Sequence, residues 1–173
     1  MSFAGLEIGW AFCGYLAVVT AFAGVLHYMR RMPRFFSLVS LPGTLTHELL
    51  HFLLGTLSLA RPVSLSLLPK FHRDGSATLG SVTFTHIRWY NALWVGMAPI
   101  LALPAALWLV YLRSVQGAAP ALQEVAWSYI AASLAYSCVP SKADIAIVLS
   151  KPIGLIFYFS CGALLYWMRL ASG

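Results

Sequence analysis

Long apolar runs separated by short polar junctions dominate the chain. Five of them are predicted to be membrane-spanning helices: Ile8–Met29, Phe35–Ala60, Trp89–Leu112, Val125–Leu149 and the shorter Pro152–Met168. A helix needs roughly 20 apolar residues to cross a bilayer. Trp10, Tyr28, Trp89, Tyr90, Tyr111, Trp127 and Trp167 fall near the expected ends, where interfacial aromatic belts sit. The junctions RRMPR and RSVQGAAPALQE leave no room for a water-soluble domain, so residues 1–173 are expected to form one membrane domain.

One junction has a different period. Between Arg61 and Arg88, Val63, Leu65 and Leu67 alternate with Ser64 and Ser66; after Arg73-Asp74-Gly75, Val82 and Phe84 alternate with Ser81 and Thr83. Period two on both sides of an Asp-Gly turn signal predicts a β-hairpin with strands at 62–68 and 76–84, and Gly80 is a candidate bulge. A hairpin returns the chain to the membrane face it left. The second and fourth predicted spans should therefore run parallel, with the third antiparallel between them. The expected fold class is an all-α polytopic membrane protein, with about five transmembrane helices and a small membrane-associated β-hairpin.

Composition strengthens the membrane assignment. The chain is 60% hydrophobic and 9% charged, against about 25% charged in soluble domains. The net charge of +6 does not signal nucleic acid, because the eleven Lys and Arg are scattered over the junctions, as membrane-flanking cations are. Arg30, Arg31, Arg34, Arg113 and Arg169 are expected on one face and Arg61, Lys70, Arg73, Arg88, Lys142 and Lys151 on the other. Five against six sets no orientation. Cys13, Cys138 and Cys161 are odd in number and lie in apolar runs, which favours free thiols. The first apolar run has neither a cationic segment before it nor a small-residue cleavage site after it, so it reads as a retained span. The expected location is a multi-pass position in a bacterial inner or plasma membrane.

Candidate chemistry is concentrated in the second run, in GTLTHELLHFLLG. His47-Glu48-Leu49-Leu50-His51 matches H-E-x-x-H. On a helix, positions i and i+4 project to the same face, so both imidazoles can point at one ion. The intervening Glu48 then lies beside the metal's open position, placed to take a proton from water. A chain of this composition contains the pattern by chance only about 0.0025 times. Ionisable groups at membrane depth are also costly unless paired.

A tetrahedral site needs a third protein ligand, and the chain has five acids. Glu7 precedes the first span, Asp74 is in the hairpin turn and Glu124 is at the mouth of the fourth span. Asp144 lies inside that span, in SCVPSKADIAIV, where Pro140 is expected to break or kink the helix. Its alternative role is an ion pair with Lys142 or Lys151. Depth favours the metal. His51 is expected about 14 Å from the hairpin end of its span and Asp144 about 8 Å from the matching end, whereas Glu124 is about 30 Å away along the helix.

A membrane-embedded H-E-x-x-H span, a β-hairpin, an intervening span and a Pro-interrupted span carrying one Asp resemble the site-2 protease family of intramembrane zinc metalloproteases. The resemblance covers roughly residues 35–150, the expected catalytic core, with spans 8–29 and 152–168 flanking it. The family's N-P-x-x-x-L-D-G-like stretch corresponds to Cys138-Val139-Pro140-Ser141-Lys142-Ala143-Asp144 followed by Ile145, with Cys138 in place of Asn and Ile145 in place of Gly. Gly96-Met97-Ala98-Pro99 is similar to its A-G-P element. The resemblance implies Zn²⁺ held by His47, His51 and Asp144, Glu48 as general base, and a transmembrane protein or peptide as substrate. That substrate would be unwound and held extended by an edge strand of the hairpin. It also implies that the hairpin side and the N-terminus are both cytoplasmic.

The remaining polar residues carry less. His86 and Asn91 are candidates for stabilising an oxyanion or orienting a ligand, or else interfacial anchors. Ser137, Cys138 and Ser141 surround the expected kink and are candidates to satisfy its freed backbone groups. His27 and His72 sit beside cations and read as solvated or headgroup-facing. The first and fifth spans offer no candidate chemistry. Two other function classes compete: an inactive membrane-protein binder or escort, which would have no need to keep Glu48, and a metal transporter, which would show polar residues across several spans or internal repeats. The expected function is intramembrane zinc-dependent peptide hydrolysis.

Overall fold

The computed structural model describes residues 2–3, 6–7, 9–72, 77–116 and 120–172. In chain order the elements are β1 (Ser2–Phe3), β2 (Leu6–Glu7), α1 (Trp10–Met29), α2 (Pro33–Val39), α3 (Leu41–Leu57), β3 (Pro62–Ser66), β4 (Lys70–Phe71), β5 (Ala77–Thr78), β6 (Ser81–Phe84), α4 (Ala92–Gly96), a 3-10 turn (Ala98–Leu101), α5 (Ala102–Val115), α6 (Ala121–Ser137), α7 (Lys142–Leu149) and α8 (Pro152–Ala171). Among the described residues, three helices are long and apolar enough to cross a membrane: Trp10–Met29, Ala98–Val115 and Pro152–Ala171. The α6–α7 pair, bent by about 40°, makes a fourth if counted as one span.

Five uniform spans are not seen among the described residues. The second run splits at Ser40 into α2 and α3, because Pro42 has no amide hydrogen for the Leu38 carbonyl and its ring crowds that position. The 17 residues of α3 rise only about 25 Å, short of a hydrocarbon core of about 30 Å. The third run breaks at Met97, ahead of Pro99. The fourth breaks where Pro140 was expected to break it. The fifth is a full 20-residue helix.

Side chains of α6 repair the α2–α3 break. Tyr129 donates its hydroxyl to the Val39 carbonyl, and Ser133 Oγ accepts the Gly43 amide at 2.9 Å. Both groups are freed at a helix end, where backbone partners are missing. Gly43 lets the helices meet this closely: a Cβ there would collide with the Ser133 carbonyl and lie 2.9 Å from its Oγ. Close approach at small residues is how helices associate in lipid. Gly43 meets Ser133 and His47 meets Ser137, so α3 and α6 run parallel.

α1 also runs parallel to α6, which reverses the expected orientation of the first span. Tyr15, early in α1, donates to Glu124 at the start of α6 (2.7 Å). His27, late in α1, packs edge-on against Tyr136 late in α6. Glu124 also accepts from Arg113 at 2.6 Å. The beginning of α1 is thus level with Arg113, at the end of the bundle opposite the hairpin. Arg30 is level with the far end of α6, not with Arg113. The seven-residue α2 makes this arrangement: it doubles back from the end of α1, and α3 then climbs in the same direction as α1.

At the top of α3 the chain reverses through Leu59 (φ 61°) and Arg61 (φ 54°), two left-handed residues that are not glycine and cost about 1–2 kcal/mol each. The hairpin consequently folds back along α3. Phe84 packs on Gly55 and Gly80 on Glu48, and β5 reaches α2. β3 pairs antiparallel with β6 and β4 with β5. The register shift falls between Pro62 and Ser64, not at Gly80, which lies between β5 and β6 in close approach to Glu48. The Asp74-Gly75 turn lies outside the described residues.

The α3–α6 seat is testable. Gly43→Val should destabilise the protein by about 1–3 kcal/mol through overpacking, whereas Gly14→Val, where nothing lies within 4 Å of an added Cβ, should be near neutral. Thermal unfolding in detergent of the two variants against the parent measures the difference.

Candidate metal centre

Helical spacing puts His47 and His51 one turn apart on α3, and the α6–α7 break brings Asp144 opposite them. His51 Nε2 lies 3.1 Å from Asp144 Oδ1 and His47 Nε2 lies 3.4 Å from Oδ2. The two Nε2 atoms are 3.2 Å apart. All three candidate ligand atoms fall within 4.8 Å of one another. A tetrahedron with the 2.0–2.1 Å bonds of a zinc–imidazole site has edges of about 3.3–3.4 Å, so the spacings fit a metal ion at the shared vertex.

Hydrogen bonding fixes what those atoms can do. His47 Nδ1 meets the Ser137 carbonyl at 2.8 Å and His51 Nδ1 meets the Val95 carbonyl at 2.8 Å. A carbonyl only accepts, so both Nδ1 atoms carry the hydrogen, and in the neutral imidazoles both Nε2 atoms present lone pairs. With the carboxylate, three acceptors converge on one point. A proton shared between imidazole and carboxylate or a metal cation can join them, and outer hydrogen bonds of this kind are those that orient metal-ligating histidines.

Sequence dictates both outer partners. Pro99 has no amide hydrogen to occupy the Val95 carbonyl in the i+4 pattern, which leaves a lone pair for His51. Helix α6 ends at Ser137, so the Ser137 carbonyl is a free helix end and His47 takes it. The amide of Ser141 turns instead to Asp144 Oδ2 (2.6 Å), while Ser141 Oγ accepts from the Asp144 amide (3.2 Å). This capping box at the start of α7 orients the carboxylate toward the histidines. Gly96 lets α4 lie against α7: a Cβ there would sit 2.6 Å from the Asp144 carbonyl and 2.5 Å from Val148.

Glu48 is buried and makes no hydrogen bond among the described residues. It lies in the same cavity, of about 930 Å³, as His47, His51 and Asp144. Gly80 closes over it from the hairpin, where a Cβ would fall 2.5 Å from Glu48 Cγ. The cavity is further bounded by Leu79 and by Ser81 and Val82 of β6, and by Ser133, Tyr136 and Pro140 on the α6 side.

Asp144 has neither Lys142 nor Lys151 as an ion-pair partner among the described residues. Glu124 is paired with Arg113 and Tyr15 at the other end of the bundle. Ser141 is in contact with the candidate metal ligand Asp144, whereas His86 and Asn91 are not among the residues that line the cavity. Asn91 is fully buried as a tie at the hairpin exit: its amide donates to the His86 and Ser58 carbonyls and its Oδ1 accepts the Arg88 amide. His86 Nε2 accepts from Arg88 Nε. His72 pairs with Thr78 on the exposed hairpin. His27, expected to be solvated or headgroup-facing, is exposed, and it also borders the cavity together with Ala23 and Arg30, so the end of α1 reaches the cavity. The signal for this was Pro42, which forbids one straight helix through the second run and sets the direction of α1.

Purified protein should hold one divalent metal per chain. His47→Ala, His51→Ala and Asp144→Ala should each lose most of it, and Glu124→Gln should keep it. Ser141→Ala removes one cap bond worth about 1 kcal/mol and should weaken metal only several-fold. Metal content by mass spectrometry after dialysis against a weak chelator checks all five variants. No protein-family model, curated protein or solved structure matches the chain.

Proposed function

We propose that the protein is a zinc-dependent peptidase that cleaves transmembrane or membrane-proximal peptides, in the manner of the site-2 protease family it resembles. The observation that carries this reading is the buried carboxylate of Glu48, which has no hydrogen-bond or ion-pair partner among the described residues. It faces the same cavity as three converged metal-binding acceptors, and it is not itself one of them. A scaffold that only bound metal or escorted a partner would gain nothing from an uncompensated buried acid, which is costly.

His47 and His51 offer imidazole lone pairs and Asp144 offers a carboxylate, a donor set suited to zinc with one position left open. Such an ion supplies a more acidic water and a polarised carbonyl. Glu48 receives the proton of the attacking water and returns it to the departing amine. Ala23, Phe36 and Ala135 are among the apolar residues that line the cavity, and a less polar surround strengthens the interactions of these charges.

Substrate conformation follows from the hairpin. Amides of an intact helix are shielded and already hydrogen-bonded, so the peptide must be extended before attack. β6 pairs with β3 on one edge only, and residues 79–82 border the cavity beside Glu48. The open edge of β6 therefore offers backbone partners to an extended segment, a form of strand addition.

Two outcomes check this reading. Glu48→Gln should retain metal and lose hydrolysis of a transmembrane peptide by about two to four orders of magnitude; normal turnover in that variant would exclude the mechanism. Of Ser81 and Val82, adjacent residues in a strand, one amide faces β3 and the other the open edge. Proline at the open-edge position should leave metal content and folding intact while reducing turnover at least tenfold (about 1.4 kcal/mol, one hydrogen bond). Unchanged turnover with proline at either position would remove the hairpin from the mechanism.

A further inference from the structure

The cavity extends past the metal centre to the C-terminal end of α1, where His27 and Arg30 form part of its wall, and Lys142 borders it from the first turn of α7. Arg30 and Lys142 are permanent cations, and neither has an ion-pair partner among the described residues. The acids on the same walls are Glu48 and Asp144, and Asp144 is already engaged by His47, His51 and the Ser141 amide. Arg30 and Lys142 are both exposed, so they make the cavity's rim electropositive, with neither paired to a carboxylate of the chain among the described residues.

We infer that this end of the cavity binds a carboxylate of the substrate, and that the protein selects transmembrane peptides carrying an acidic group to one side of the cleaved bond. The inference rests on the peptidase reading above. An acidic residue is expensive in hydrocarbon, so a cavity with uncompensated cations is a better environment for it than lipid. That difference favours entry of the segment bearing the acid. The planar guanidinium of Arg30 matches a carboxylate with two parallel hydrogen bonds, and Lys142 adds a point charge. The position of Arg30 depends on the return of α2. Were α1 antiparallel to α6, Arg30 would sit beside Glu124 and Arg113 at the other end of the bundle.

The test separates binding from turnover. Glu48→Gln protein in phosphatidylcholine nanodiscs is titrated with fluorescein-labelled leucine–alanine transmembrane peptides. Each carries one Glu, or Gln in its matched partner, stepped through the central residues with the C-terminus amidated. A further Gln peptide with a free C-terminus distinguishes a terminal carboxylate from a side chain. For at least one position the acidic peptide should bind about tenfold tighter than its Gln partner, the effect of one charge-assisted hydrogen bond. Arg30→Gln with Lys142→Gln should abolish the preference, and Arg30→Lys should retain part of it. Equal binding of acidic and neutral peptides at every position, as interfacial anchoring of the two cations gives, overturns the inference. So does a preference that survives the double substitution. Hydrolysis of the Gln peptides by protein with Glu48 intact tests the peptidase reading by itself: turnover without any acidic preference sinks only the carboxylate site, and preference without turnover sinks only the peptidase.

Discussion

Two imidazoles and a carboxylate held together between α3 and α7 are the constraint on which the rest of the molecule depends. Both Nδ1 protons are committed to the Ser137 and Val95 carbonyls, so His47 Nε2, His51 Nε2 and the Asp144 carboxylate are turned toward one another. Buried in this way, such a cluster is unfavourable unless a proton or a metal cation joins it. The surrounding helices are built to hold it together. Gly43 seats α3 on Ser133, Gly96 seats α4 on the Asp144 backbone, and the prolines at 99 and 140 free or expose the backbone groups that orient the ligands. Each of these residues breaks or thins a helix. Each break supplies a partner that a regular helix would have used internally.

The same economy shapes the cavity. Because α2 doubles back, three helices run in one direction and the end of α1 comes level with the metal centre rather than opposite it. Because Leu59 and Arg61 turn the chain sharply, the hairpin lies along α3 and puts Gly80 against Glu48. The result is a site walled by helices on one side and by a strand with a free edge on the other. An extended peptide needs both surfaces: a strand for its backbone and a recess for its side chains. The ion pair between Arg113 and Glu124 fixes the other end of the bundle, so the positions of α1, α5 and α6 are pinned far from the chemistry.

Local chemistry was legible in the sequence where it rested on spacing. His47 and His51 follow from i and i+4 geometry. Asp144 follows from the cost of an unpaired acid within an apolar run, and the break before α7 follows from Pro140. The hairpin was legible as period two on either side of Asp74-Gly75. Features that depend on contacts between distant residues were not. The split of the second run was signalled by Pro42, yet its consequence, a first helix parallel to α6, depends on Tyr129 and Ser133 reaching backbone groups 90 residues away. His27 beside Arg30 and Arg31 looks like a headgroup contact in the sequence, and only through that reversal does it also border the cavity. Gly80 looked like a strand irregularity, and only its neighbour Glu48 explains why a side chain is excluded there. Asn91 looked like a candidate for chemistry because it is polar at a span entrance; it is a buried tie for three backbone groups, a role that no spacing reveals.

The central claim is that His47, His51 and Asp144 bind one ion across the gap between α3 and α7. X-ray absorption at the zinc edge of the zinc-loaded protein tests it most directly. The account predicts a first shell of about four nitrogen and oxygen neighbours at about 2.0–2.1 Å, with the outer-shell scattering of two imidazoles that weakens to one in His51→Ala. A shell containing sulfur at about 2.3 Å, which would place the ion at Cys138 or another thiol, or a shell without imidazole scattering, would contradict it.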